Sequence, residues 1–173
     1  MIAAPRCSCG GRLKSAAVER PGLEALFGLK GRFEGKVAGL RCDACGGETF
    51  DGHVFDRMFR AVALNVLAQP RILSEEEARF LRKALLQMTQ DDLAERMGIN
   101  KVTVSDWERG DRPLSKEHDY ELRGIALAAL LQQHPLGERL GALLERVLLA
   151  PRRVGPPARS KPYRIPVAEL AEE

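Results

Sequence analysis

Ser74 to Gly110 reads SEEEARFLRKALLQMTQDDLAERMGINKVTVSDWERG. Three helix starts are written into it. Ser74 with Glu77 forms a capping box, and Phe80, Leu81, Ala84 and Leu85 give the helix that follows one apolar face. Thr89 followed by Asp92 caps a second helix, whose Leu93, Ala94 and Met97 face inward. Gly98-Ile99-Asn100 is a tight turn, and Asn100 caps a third helix running to Arg109. Gly110 suits the left-handed position that ends it.

Two short amphipathic helices joined by a tight turn, behind a capped helix, have the layout of a helix-turn-helix. In that motif the second helix lies in the major groove and the first spans the phosphate backbone. The reading helix here is Lys101 to Arg109. Val104, Trp107 and Glu108 look inward, and Glu108 is placed to brace the next turn through Arg112. Lys101, Val102, Thr103, Ser105, Asp106 and Arg109 are left outward. Lys101 suits guanine O6 or N7, and Val102 a thymine methyl. Asp106 either accepts from cytosine N4 or positions Lys101 or a partner side chain, a carboxylate being awkward beside phosphates. Gln90, Arg109 and Arg112 are phosphate candidates. A bundle with a reader-like surface, serving as an adaptor, is the blander alternative.

Working outward, Ser115 caps a fourth helix to about Gln133, and a leucine-rich fifth runs from about Leu136 to Ala150. Leu127, Leu130, Leu131, Leu140 and Leu144 either form a dimer contact or complete the core. Residues 151–173 hold five of the 10 prolines and an arginine-lysine run, and are expected to be a disordered basic tail. Upstream, Val54, Phe55, Met58, Phe59, Val62 and Val66 recur at helical steps, and Gln69-Pro70-Arg71 breaks that helix. Glycines at 28, 31, 35 and 39 argue against a long helix before it, so residues 11–50 read as short strands and turns with a hairpin between the cysteine pairs. The expected division is a metal-binding unit with connecting helix at 1–68, a five-helix DNA-binding unit at 69–150, and the tail. The fold class is mainly α, with a small α+β N-terminal domain.

All 4 cysteines lie upstream, as Cys7-Ser8-Cys9-Gly10 and Cys42-Asp43-Ala44-Cys45-Gly46. Two such turns held face to face supply the four thiolates of a closed, structural zinc site. Glycine after the second cysteine lets backbone N–H groups turn toward the sulfurs. The first pair is one residue short of the usual Cys-x-x-Cys, which tightens its bite. His53 lies past the second pair and reads as a surface residue. Apolar residues make up 45% and the formal charge is +3. No run approaches the ~20 apolar residues of a membrane span, and the N-terminus lacks a signal-peptide pattern. A cytoplasmic, DNA-compatible protein with reduced thiols is the expectation. The histidines, His53, His118 and His134, stand in no recognisable relation to a nucleophile, and an enzyme is not expected.

The segment LLQMTQDDLAERMGINKVTVSDWERG resembles the Xre, or lambda-repressor-like, helix-turn-helix family in its Thr-Gln opening, Gly-Ile-Asn turn and Val-Ser-x-Trp-Glu-x-Gly finish. That resemblance implies base contacts from Lys101, Val102 and Asp106, and phosphate contacts from Gln90 and Thr103. The order of cysteine module, connecting helix and Xre motif resembles the MqsA (YgiT-type) antitoxins. This implies a Zn2+-stapled N-terminal domain that neutralises a small toxin, typically an mRNA-cleaving RNase. It also implies a homodimer that represses its own operon at a palindrome, with reading helices ~34 Å apart. The Cys-x-Cys spacing and the segments after Pro135 depart from that family. A stand-alone regulator, or an adaptor like the multiprotein bridging factors, is the other reading.

Overall fold

A computed structural model describes residues 6–133 and 161–170. The N-terminal third is a small sheet carrying one short helix. Strand β1 (Leu13–Glu19) pairs antiparallel with β3 (Lys36–Cys42), which in turn holds the two-residue β4 (Glu48–Thr49). The hairpin expected between the cysteine pairs is therefore present, with Leu13 opposite Cys42 and Glu19 opposite Lys36. Between its arms the chain inserts α1 (Leu23–Phe27) and β2 (Gly31–Glu34).

Helix α2 (Gly52–Leu67) starts where Asp51 accepts the Val54 N–H, and buries Val54, Met58, Val62 and Val66. The helices that follow obey their caps. Ser74 and Glu77 make the reciprocal box that opens α3 (Glu75–Phe80). Its axis continues through a widened turn at Leu81–Leu85, with the Leu86 N–H reaching back to the Leu81 carbonyl. Thr89 and Asp92 box α4 (Gln90–Arg96), Asn100 caps α5 (Lys101–Arg109), and Gly110 stops it at φ 78°. The Ser115 hydroxyl accepts the His118 N–H at the head of α6 (Lys116–Gln133).

One core runs through all of this. Phe27 of α1 meets Phe55 and Phe59 of α2 at 5.4 and 6.1 Å between ring centroids, and Phe80 of α3 edge-on at 6.2 Å. Offset and edge-to-face rings attract beyond the area they bury. The aromatic cluster thus joins the sheet end to the helical end across the Gln69-Pro70-Arg71 break. The break itself is pinned by charge. Arg123 of α6 is 0% exposed, and its guanidinium donates to the Val66 and Leu67 carbonyls at the C-terminal end of α2 and to the Arg71 carbonyl beyond it. Asp119 completes the lock. It accepts from Arg123 Nε at 2.9 Å and from the Leu73 N–H at 2.9 Å.

The C-terminal segment corrects the sequence reading. Residues 161–170 are not a disordered basic tail. Strand β5 (Tyr163–Pro166) lies parallel to β2, Gly31 opposite Tyr163 and Phe33 opposite Ile165, and a 3₁₀ turn (Val167–Leu170) follows. Tyr163, Ile165 and Leu170 are buried while Arg164 and Pro166 point outward. Arg164 and Pro166 occupy the exposed positions of a period-two strand. Pro166 sits in an edge strand, which tolerates a missing donor. Gly31 makes the pairing possible, since a Cβ there would lie 2.5 Å from the Tyr163 carbonyl oxygen. The Tyr163 hydroxyl donates to Glu77, so this strand also reaches the capping box of α3.

The leucine-rich fifth helix and residues 151–160 lie outside the described residues. Leu127 and Leu130 are buried in the core of the single chain and Leu131 is half-buried. The first two are therefore core residues and not a dimer contact; Leu140 and Leu144 lie outside the described residues.

If β5 is structural, Ile165→Ala leaves a cavity against Phe33 and lowers unfolding stability by about 2–5 kcal/mol. Denaturant titration of the full chain measures it. A loss below 0.5 kcal/mol, the scale of a surface substitution, would mean that the strand does not pack in solution.

Candidate nucleic-acid interface and metal centre

The reading helix is held by buried charge. Arg82 of the widened turn grips Glu108 in a two-pronged pair, Nε to Oε1 at 2.6 Å and Nη2 to Oε2 at 2.8 Å. The same guanidinium caps the Met88 carbonyl, and Gln90 adds its amide to Glu108 Oε2 at 2.8 Å. Arg79 donates to the Glu108 carbonyl. Glu108 thus faces inward as expected, but its brace is Arg82, not Arg112, which is exposed. Sequence carried a signal for this: an inward glutamate must find a buried cation, and Arg82 stands on the same helix as the apolar face. Trp107 fills the space beneath the helix and meets His118 at 5.0 Å between ring centroids.

Burial on its own would push Glu108 up. The hydrogen bonds from Arg82 and Gln90 outweigh it and hold the carboxyl below its ordinary range. Glu77 is likewise held low, its burial overcome by Arg71, which bonds both carboxylate oxygens at 2.7 Å.

The outward face of α5 brings the expected residues together. Val102 is 60% exposed, a large apolar side chain standing in water at the helix start. Lys101 beside it is exposed, while Thr103, Ser105 and Asp106 are half-buried. Asp106 does not position Lys101. It accepts from Arg109 Nη2 at 2.6 Å, and Arg109 also holds Ser105 and Asp111. Lys101 is held instead by Asp91 of α4, Nζ to Oδ2 at 2.6 Å. Gln90 stands at the head of α4 with its amide committed to Glu108. The roles of Asp91, Asp111 and Arg82 depend on which groups the fold brings side by side, which linear sequence does not show.

At the opposite end, the open end of the β1–β3 hairpin gathers Cys7, Cys9, Cys42 and Cys45. Their sulfurs all lie within 4.8 Å of one another, with Cys7 to Cys45 at 3.7 Å and Cys9 to Cys42 at 3.5 Å. A tetrahedron of thiolates bound at ≈ 2.3 Å has edges of about 3.8 Å, so the spacing fits a metal ion, short first turn included. Asp43 ties the two turns by accepting the Arg12 N–H at 2.9 Å. A Cβ on Gly11 would lie 2.5 Å from Cys42 Sγ, so only glycine lets the first turn approach the second. The Cys9 backbone N–H, aided by the Cys9 and Cys45 thiols, holds the Cys7 thiol down at about 6. The Cys45 and Ala44 N–H groups lower Cys42. Backbone donors aimed at sulfur favour the thiolate that a metal requires. The Gly11 N–H also lowers Cys9, but the other three thiols outweigh it and push it up to about 12. Four sulfurs this close compete for protons unless a cation sits among them. His53 is exposed and takes no part.

Residues 79–118 match the helix-turn-helix family model. No curated protein and no solved structure matches the chain. No helix among the described residues is long and apolar enough to cross a membrane.

Two outcomes follow. Cobalt(II) titrated into the reduced protein should give the absorption of a tetrahedral thiolate site at one equivalent, lost in Cys42→Ser; absence of that spectrum would remove the metal centre. Stability should fall as pH drops below about 4.5, the unfolded value of glutamate. Depressed carboxyl groups bind fewer protons folded than unfolded, so their contribution is full above that pH and lost as pH passes through the folded value. Glu108→Gln should flatten this acid limb in a pH series of thermal melts, and an unchanged limb would refute the assignment. The geometry and the family match agree on one element: residues 79–118 form a helix-turn-helix of the kind found in DNA-binding regulators, in a chain whose N-terminal end gathers four cysteines able to hold a metal ion.

Proposed function

We propose that the protein is a sequence-specific transcriptional repressor, zinc-stapled at its N-terminal end, that acts as the antitoxin of a toxin–antitoxin pair and represses its own operon. The observation that carries the DNA-reading part is the outward face of α5. Val102, Lys101 and Asp106 stand together at the start and centre of a helix whose back is fixed by Arg82–Glu108 and Trp107. A rigid helix with an exposed apolar side chain beside a cation suits the thymine methyl and guanine acceptors of the major groove. Zinc is the metal of choice for four thiolates in a tetrahedral, closed site. A homodimer would set two such helices ~34 Å apart on a palindrome. Arg112, exposed beyond the reading helix, serves as a phosphate contact.

The antitoxin role rests on the order of cysteine module, connecting helix and helix-turn-helix, which resembles that family. The stand-alone regulator is the second reading. It is favoured by the short Cys-x-Cys turn and by the C-terminal strand β5, which packs on the N-terminal unit and adds to it beyond the family core.

Selection of the purified full-length protein on random duplex DNA tests the first claim. An enriched palindrome is expected, and no enrichment would refute it. On that palindrome Lys101→Ala should relax preference at one base pair, whereas Arg112→Ala should weaken all sequences alike. Equal loss on specific and scrambled DNA for both variants would sink the assignment. Co-purification at native expression separates the two regulators. A stoichiometric small partner encoded beside this gene supports the antitoxin, and a homodimer alone supports the stand-alone regulator.

A further inference from the structure

Lys101 is the cation best placed to meet a base, yet it is not alone. Its ammonium is bonded to Asp91 Oδ2 at 2.6 Å, with side chains 55% and 65% exposed. Asp91 lies in the first turn of α4, the helix that spans the phosphate backbone in this motif. A carboxylate there opposes phosphate binding, and it is not needed for the cap. Thr89 and Asp92 make the capping box between themselves. The other cation of the reading helix, Arg109, is likewise occupied by Asp106, Asp111 and Ser105. The reading face therefore carries its own counter-charges.

We propose that Asp91 is a specificity-determining residue, holding Lys101 off the phosphates and over the base edges. The inference rests on the DNA-reading proposal above. An ammonium has three donors. One goes to Asp91, and the remaining two match the O6 and N7 acceptors that guanine presents in the major groove. A lysine without this anchor is a flexible point charge on a four-carbon stem, and on DNA its nearest strong acceptor is a phosphate oxygen. A phosphate contact raises affinity for every sequence and tells none apart. The exposed pair is weak in water, so Lys101 exchanges water for a guanine edge without first breaking a strong bond. Asp91 acts through Lys101 and is a positioning residue.

The test uses the full chain and the duplex recovered by selection, against a scrambled duplex of the same length and composition. Asp91→Asn removes the charge and keeps the shape, and Glu95→Gln, on the exposed surface of the same helix, is the charge-matched control. Asp91→Asn should bind scrambled DNA several-fold more tightly, with a salt slope steeper by about 0.9 from one added phosphate contact. Discrimination at a single G·C pair should fall several-fold, by about threefold. Glu95→Gln should leave that discrimination unchanged. Adding Lys101→Ala to Asp91→Asn should erase the gain on scrambled DNA.

Several results would overturn the proposal. One is an unchanged preference at every position in Asp91→Asn. Another is an equal loss on both duplexes, which would make Asp91 a structural residue. A third is a gain that persists in the double variant, or appears equally in Glu95→Gln, because the effect would then not run through Lys101. If the wild type enriches no sequence at all, the DNA-reading proposal falls and this inference with it; an enriched site with Asp91-independent preference sinks the inference alone.

Discussion

A fully buried guanidinium decides how the two ends of this chain face each other. A charge taken out of water must be met on every side. Here it is met by Asp119 and by three carbonyls at the end of α2 and the turn beyond it. Those carbonyls come from Val66 and Leu67, just before the break in the helical pattern, and from Arg71 within it. The group that would otherwise be a liability therefore fixes how the C-terminal end of the connecting helix meets α6. Losing the arginine alone would strand a buried carboxylate as well as helix-end carbonyls, a cost of about 3–5 kcal/mol for a broken buried pair. Replacing both charges by apolar groups of similar volume is a different matter and is often close to neutral. What the pair supplies is orientation more than net stability.

The same logic recurs at the reading helix. Arg82, Glu108 and Gln90 form a buried polar cluster under α5, and Arg71, Glu77 and Tyr163 form another under α3. Each joins elements distant in sequence. A wholly apolar interface would let a short helix such as α5 slide or rotate, because dispersion contacts have little directional preference. A two-pronged guanidinium–carboxylate pair has a fixed geometry, so the rotation of α5, and with it the set of side chains shown to solvent, is specified.

Much of this was written locally and so was legible in the sequence. Caps at Ser74, Thr89 and Asn100, the stop at Gly110, and the apolar steps of α2 depend on residues three or four apart, and the structure places them where periodicity does. The cysteine cluster was legible for the same reason, each pair being a local turn. The partners of charged groups were not. Linear spacing points Glu108 to Arg112, its neighbour along the chain, and cannot show that Arg82 crosses beneath α5. The same holds for Lys101, whose partner Asp91 follows from the packing of α4 against α5 and not from linear spacing, whereas Asp106 pairs with Arg109 on its own helix. The C-terminal strand was hidden differently. Tyr163 and Ile165 alternate with Arg164 and Pro166, but four residues are too short a window to outweigh five prolines, and the partner strand β2 lies far back in the chain.

The continuity of the core bears on how the cysteine end and the reading helix communicate. Two units linked by a free hinge could be swung relative to each other by a partner bound to one of them. Here the segment that would serve as that hinge, Gln69 to Leu73, has its carbonyl at Arg71 bonded to Arg123 and its N–H at Leu73 bonded to Asp119. The Phe27, Phe59 and Phe80 rings pack across the same junction. Swinging one end against the other would unpair a fully buried ion pair and open an aromatic cluster together, which is closer to unfolding than to a hinge motion. Any partner that docked on the sheet end would therefore act on the helix-turn-helix through the surface it occupied and the charge it brought, or by changing the population of the folded chain. The same frame links the cysteine cluster to the helical end: a metal ion held there would order the open end of the β1–β3 hairpin, whose arms enclose α1, and Phe27 of α1 packs on Phe80 of α3.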